Sequence, residues 1–242
     1  MGAPSTDPAR PEGTRPKAIH GAVAHDLGIA IVGGRLQPGD LLPGEDRFSA
    51  DNGISRSAYR EAVKMLAAKG LVHSRTKSGT RVNPRVSWNM LDLDVLAWMF
   101  EVGPDIAFVH SIFELRRLVE PEAAALAAAR RDGRELAAMG HALEEMERHG
   151  LTRTEGRAAD ERFHALILRA TRNEPLIALS NSIAAAVKWT SKFAREDRRQ
   201  QRDPMPDHYA VYDALVAGDA DAARAGMALL VENASRDAGI PV

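Results

Sequence analysis

The 242-residue chain contains no cysteine. Disulfides and thiolate metal sites are therefore excluded. Aromatic residues make up only 5% of it, so its core must be filled by aliphatic side chains and alanine. There is no uninterrupted apolar run of membrane-spanning length, and residues 1–16 show no apolar core of a signal peptide. That segment, rich in Pro, Gly, Ser and charge, reads as a disordered tail, and the expected location is the cytoplasm. Nucleophile-elbow, His-Glu-x-x-His and phosphate-loop motifs are all missing, which removes the commonest hydrolase and nucleotide-binding signatures.

What is present is a segregation of charge. Residues 1–85 carry 13 Lys and Arg against 8 Asp and Glu, whereas the remaining residues carry 19 against 25. A basic front and an acidic rear imply that the front faces a polyanion. Apolar residues at helical spacing (Ile19, Val23, Leu27, Ile31) predict a first helix over Lys17–Val32, ended by Gly33-Gly34. A short helix over Glu45–Asn52 stops at Asn52-Gly53, and Ser55 is the expected N-cap of a helix reaching Lys69. After Gly70 the period becomes 2, giving strands at Leu71–Arg75 and Thr80–Val82 around Thr76-Lys77-Ser78-Gly79. Two helices with a tight turn followed by a small hairpin describe a winged helix-turn-helix over residues 17–83.

From Pro84 the pattern changes. Residues 84–103 read as a linker containing a connecting helix over Trp88–Val102, and only helical periodicities follow. These are expected near 105–131, 134–150, 155–171, 173–198, 205–217 and 219–236. The fold class is therefore mainly α: an N-terminal winged helix-turn-helix and, over residues 104–238, an antiparallel all-α bundle.

In a helix-turn-helix the start of the second helix enters the major groove of double-stranded DNA. Arg56 and Arg60, four apart, share one face there, and arginine reads guanine O6 and N7 through a two-pronged contact. Ser55 and Ser57 are expected on phosphates, with Arg47 beside them, and the hairpin contributes Lys77 and Arg81. In the bundle, Asp160 and His164 lie one helical turn apart, a spacing that suits either a structural hydrogen bond or a shared divalent metal. His208 opens a later helix. Arg116 falls on an apolar stripe and needs a partner, either Glu120 one turn on or the carboxylate of a ligand.

The run Leu42-Pro43-Gly44-Glu45, Ser55-Arg56-Ser57-Ala58-Tyr59-Arg60-Glu61 and Gly79-Thr80-Arg81-Val82 resembles the GntR-type winged-helix repressors. Asp46 departs from that pattern, in which some members place a DNA-contacting arginine there. Glu114-Leu115-Arg116-x-x-Val119-Glu120-Pro121, Asp160-x-x-Phe163-His164 and His208 resemble the helical, FCD-type ligand-binding domain of the FadR subgroup. The resemblance implies a homodimer that binds operator DNA and a small carboxylic acid. It also implies a divalent ion, Zn2+ being the first expectation, held by Asp160, His164 and His208. The subgroup's fourth ligand, a histidine, would fall at position 230, where this chain has leucine. Trp88–Trp98 with the Arg116 motif is similar to a branch of galactonate-operon repressors that also lack that histidine, and this implies a sugar-acid (aldonate) effector. Arg116 is then expected on the effector's carboxylate, with Asn181 and Trp189 lining the same pocket. Two other readings are a metal-dependent enzyme using Asp160, His164 and His208, and a constitutive DNA-binding dimer without effector.

Overall fold

The computed structural model describes residues 16–76, 78–196 and 202–240. The chain divides into two compact units, Met1–Asn89 and Met90–Val242. The tail expected over residues 1–16 lies, except for Pro16, outside the described residues, as does Lys77.

In the first unit α1 (Pro16–Val32), α2 (Glu45–Asn52) and α3 (Arg56–Ala68) precede a hairpin of β1 (Val72–Arg75) and β2 (Gly79–Val82). The hairpin is antiparallel and pairs Val72 with Val82 and Arg75 with Gly79. Its outer edge is extended by a bridge from Leu41 to Arg81. Val23, Leu27 and Ile31 of α1 are buried, as are Tyr59, Ala62 and Leu66 of α3, and α1 packs on α3. Ile19, expected on the core face of α1, is 41% exposed, because the core under this helix begins a turn later. Ser55 caps α3 as expected, its hydroxyl accepting from the Ala58 N–H at 3.2 Å. Tyr59 ties this helix to the preceding turn by donating its hydroxyl to the Pro43 carbonyl.

The connecting helix is shorter than its apolar pattern implies. Residues Arg85–Ser87 form a single 3-10 turn, and α4 runs only over Leu93–Glu101, capped by Asp92. Trp88 belongs to the winged unit instead. It is buried, its indole N–H donates to the Asn83 carbonyl, and the N–H of the next residue, Asn89, donates to the Lys69 carbonyl.

The second unit holds α4, α5 (Ile106–Arg130), α6 (Gly133–His149), α7 (Thr154–Ala170), α8 (Glu174–Glu196), α9 (Met205–Ala217) and α10 (Ala220–Asp237). Helix α5 packs on α10, α6 on α7, α7 on α8 and α9 on α10, with α5 also meeting α7 and α9. Aspartates 105, 132 and 219 cap α5, α6 and α10, and Asp132 with Glu135 completes a reciprocal capping box. The core is aliphatic and alanine-rich, with Phe113 and Phe163 at its centre. Ala123, Ala124, Ala127 and Ala128 are buried, so neighbouring helices meet α5 without bulky side chains between them.

Two glycines of the winged unit are both in the left-handed region but differ in their surroundings. A Cβ at Gly70 (φ +74°) would stand 2.1 Å from the Ser87 carbonyl oxygen, whereas one at Gly53 (φ +64°) would meet nothing within 4 Å. Gly53→Ala should therefore cost about 1–2 kcal/mol for left-handed strain alone. Gly70→Ala should cost about 1–3 kcal/mol more, because backbone must be displaced. Urea unfolding of the two variants checks this, and equal losses would contradict the packing of the Ser87 turn on Gly70.

Candidate metal and effector centre, and the DNA-facing helices

Five buried groups meet in the second unit. Arg116 and Glu120 come from α5, Asp160 and His164 from α7, and His208 from α9; Arg116 is 2% and Glu120 1% exposed. Helical spacing sets Glu120 one turn beyond Arg116 and His164 one turn beyond Asp160. Arg116 Nε donates to Glu120 Oε1 at 2.6 Å, and its Nη1 donates to Thr190 Oγ1 at 2.9 Å. The other oxygen of Glu120 bonds His164 Nδ1. His164 Nε2 faces Asp160 Oδ1 at 3.5 Å, and His208 Nε2 faces the same oxygen at 3.1 Å. His208 Nδ1 donates to the Pro204 carbonyl at 2.8 Å, and Ser191 donates to Asp160 Oδ2 at 3.3 Å.

Burial opposes charge on Glu120, Asp160 and His164. On Glu120 it is outweighed by Arg116 and His164, which hold the carboxyl at about 2. On Asp160 it is outweighed by the two imidazoles, and the carboxyl stays well below the usual range. On His164 it is outweighed by Glu120 and Asp160, which raise the imidazole to about 9.

Among the described residues, Asp160, His164 and His208 form a group that could hold a metal ion, their donor atoms lying within 4.8 Å of one another. The donor chemistry fits a divalent ion. Each imidazole has its Nδ1 engaged, one by a carboxylate and one by a backbone carbonyl, and each turns its Nε2 toward the same carboxylate. This is the arrangement that fixes the tautomer of metal-binding histidines.

The centre opens on a cavity of about 60 Å³ that continues into open solvent and whose lining includes Arg116, Thr190, Ser191, Arg202 and Leu230. Leu230, at the place of the missing histidine, is 3% exposed and offers no donor.

Arg116 lines this cavity with Glu120 as its counter-charge, which an almost solvent-free guanidinium needs. Asn181 is exposed and is not part of the cavity lining. Nine residues before Thr190, it lies about half a turn round α8 from it. Trp189 stacks on Phe100 with ring centroids 5.7 Å apart, and it too is absent from the lining. Thr190 and Ser191 line the cavity in their place. Glu120 as partner of His164, 44 residues away, carried no signal in the sequence; the Arg116/Glu120 spacing revealed only half of its role.

In the first unit, Arg56 opens α3 and Arg60 lies one turn on, both exposed. Ser57 is exposed beside Ser55, their hydroxyls 3.0 Å apart. Arg47 on α2 pairs with Asp51 at 3.5 Å. Arg81 donates to the Gly39 carbonyl at 2.8 Å, bracing the wing's edge. Thus the cap and the wing employ Ser55 and Arg81 structurally, while Arg56 and Arg60 project from the helix start.

Comparison with known proteins agrees with both units. "Bacterial regulatory proteins, gntR family" matches residues 20–82, and "FCD domain" matches residues 111–233. The chain belongs to the GntR family of bacterial transcriptional regulators, and it carries an FCD domain; this is a family of regulators, not of enzymes. It is 33% identical to the galactonate operon transcriptional repressor of Escherichia coli (strain K12), over 87% of this chain and 92% of that protein. It is 30% identical to the HTH-type transcriptional regulator LutR of Bacillus subtilis (strain 168), over 81% of this chain and 90% of that protein. A solved structure of Lar, described as controlling expression of the Listeria monocytogenes agr system, shares the fold with a TM-score of 0.64. It is 20% identical and covers 95% of this chain and 99% of that one. No helix among the described residues is long and apolar enough to cross a membrane.

The contact between Arg116, Glu120 and His164 makes a direct prediction. Glu120→Ala should destabilise the second unit by about 3–5 kcal/mol, because it leaves a guanidinium buried without a counter-charge. Denaturant unfolding measures this. A loss within about 0.5 kcal/mol, the range of an ordinary surface change, would show that Arg116 has another counter-charge.

Proposed function

We propose that the chain is a ligand-responsive repressor that binds operator DNA as a homodimer and is released by a small carboxylic acid, an aldonate or related sugar acid. The observation that carries the sensing half is the convergence of Asp160, His164 and His208 on one buried point at the edge of a cavity whose largely apolar wall also carries Thr190, Ser191 and Arg202. The name of the Escherichia coli relative, a galactonate operon repressor, supports the sugar-acid class.

Asp160, His164 and His208 would hold a divalent ion. Such an ion supplies positive charge and open positions for oxygen donors. Around it, Thr190 and Ser191 present hydroxyls suited to a polyhydroxylated acid, Arg202 brings a cation to the cavity wall, and Arg116 fixes Thr190 through its Nη1. Leu230 closes the remaining side with an apolar surface.

The DNA-reading half rests on Arg56 and Arg60, with Ser55, Ser57, Arg47, Lys77 and Arg81 as supporting contacts. A dimer sets two α3 helices at a spacing matched to a two-fold symmetric site. An acid that favours another dimer geometry weakens DNA binding, and by linkage DNA weakens acid binding by the same factor.

Metal analysis of natively purified protein, with calorimetry against a panel of aldonates, tests the sensing half. A stoichiometric divalent ion and acid binding, both lost in His164→Ala and His208→Ala, are expected. Neither ion nor acid binding in the unaltered protein would instead favour a constitutive DNA-binding dimer. For the reading half, Arg56→Ala and Arg60→Ala should each cost about 1–3 kcal/mol on the operator and relax its base preference. Operator affinity unchanged by Arg56→Ala would refute this docking.

A further inference from the structure

Within α2 and α3 the charges balance, four basic side chains against four acidic ones. All four basic side chains of α2 and α3 are paired with carboxylates: Arg47 with Asp51, Arg56 with Asp46, Arg60 with Glu45 and Lys64 with Glu61. Two of these pairs cross from α2 to α3 and involve the two arginines that project from the helix start. Arg60 uses both Nε and Nη2 on one oxygen of Glu45, at 3.1 and 3.0 Å. Arg56 meets a different carboxylate, its Nε lying 2.9 Å from Asp46 Oδ1. A guanidinium engaged at its Nε can present its two terminal nitrogens as a fork, the group that fits guanine O6 and N7.

The backbone that leads into Asp46 is tethered. Tyr59 of α3 donates to the Pro43 carbonyl, so the turn that launches α2 is fastened to the reading helix beneath it. Asp46 therefore stands beside Arg56 as part of the scaffold, though both side chains are more than half exposed.

We propose that Asp46 is a specificity-determining positioning residue for DNA: it holds Arg56 in the guanine-reading orientation and disfavours phosphate and acceptor groups beside it. This rests on the DNA-reading role proposed above for Arg56. The chemistry of the pair defines the sequence it fits. Arg56 selects a guanine. The Asp46 carboxylate tolerates next to it a base whose major-groove edge offers an amino donor, cytosine or adenine, and opposes the carbonyl edges of guanine and thymine. The same negative charge cancels one positive charge of the contact face, so sequence-independent attraction to the phosphate backbone is weakened. The acidic side chain thus sacrifices general affinity for discrimination.

The test is selection from a random duplex pool by the full-length protein and by its Asp46→Ala, Asp46→Asn and Arg56→Ala variants, with binding to a scrambled duplex measured across a salt series. The unaltered protein should enrich a motif containing a guanine whose preference Arg56→Ala removes. Asp46→Ala should enrich the same motif with preference at that guanine and its neighbour reduced about tenfold. It should also bind the scrambled duplex several-fold more tightly, with a salt dependence steeper by about one phosphate contact. Asp46→Asn, which keeps an acceptor for Nε without the charge, should retain the guanine preference while gaining the general affinity, and it decides the matter should Asp46→Ala fail to fold. An unchanged motif and unchanged scrambled-duplex affinity in both Asp46 variants would overturn the role of Asp46. A motif from the unaltered protein that Arg56→Ala leaves intact would instead overturn the reading role of Arg56, and with it this inference.

Discussion

The helical unit is organised around one carboxylate. Glu120, 1% exposed, gives one oxygen to Arg116 and the other to His164. Without it, a guanidinium would be buried with no counter-charge, and an imidazole would lose the contact that sets its orientation. Neither consequence is local. Arg116 reaches on to Thr190 of α8, and His164 faces Asp160, which faces His208 of α9. A buried ion pair is weak as a source of stability, since desolvation consumes most of the Coulombic gain. Its value here is specificity: α5, α7, α8 and α9 can come together in only one register if every charged atom is to find its partner.

That constraint explains why the sensing residues are so fully buried yet adjoin a cavity. Charge on α5 is neutralised within the chain, so the cavity wall does not depend on a ligand to satisfy Arg116. The cavity wall offers instead the hydroxyls of Thr190 and Ser191 beside the Asp160, His164 and His208 cluster. The winged unit solves its electrostatic problem by the same device at the surface, where water and salt make it weak. Arg56 and Arg60 each lean on a carboxylate of α2, in pairs too exposed to add much stability.

What could be read from the sequence follows the range of the interactions. Helix ends marked by local chemistry were legible: Ser55 before α3 and the glycine at 53. So was the Asp160/His164 pair, because a helical turn is a short-range rule. The start of α4 was not. Trp88 sits at helical spacing to Leu91 and Val95, but its indole is buried in the winged unit and bonded to Asn83, a tertiary preference that periodicity does not encode. The contacts of Glu120 with His164, of Arg116 with Thr190 and of His208 with Asp160 span 44, 74 and 48 residues. Composition and spacing are silent on these; only the resemblance pointed to His208. Asn181 and Trp189 share a helix with Thr190, and the helical rotation between them carries both away from the cavity lining.

Leu230 gives the synthesis its last step. At 3% exposure it is a well-buried core side chain as well as part of the cavity wall, so it was not simply left over where a histidine is missing. An imidazole at that point would need a partner for its second nitrogen, as His164 has in Glu120 and His208 in the Pro204 carbonyl. Leucine needs none and packs on its own. The chain therefore combines a three-donor centre, less neutralised than a four-donor one, with an apolar wall directly beside it. In the function proposed above, a ligand suited to both would have oxygen donors gathered at one end and a carbon face along one side, the build of an open-chain sugar acid rather than of a compact inorganic anion.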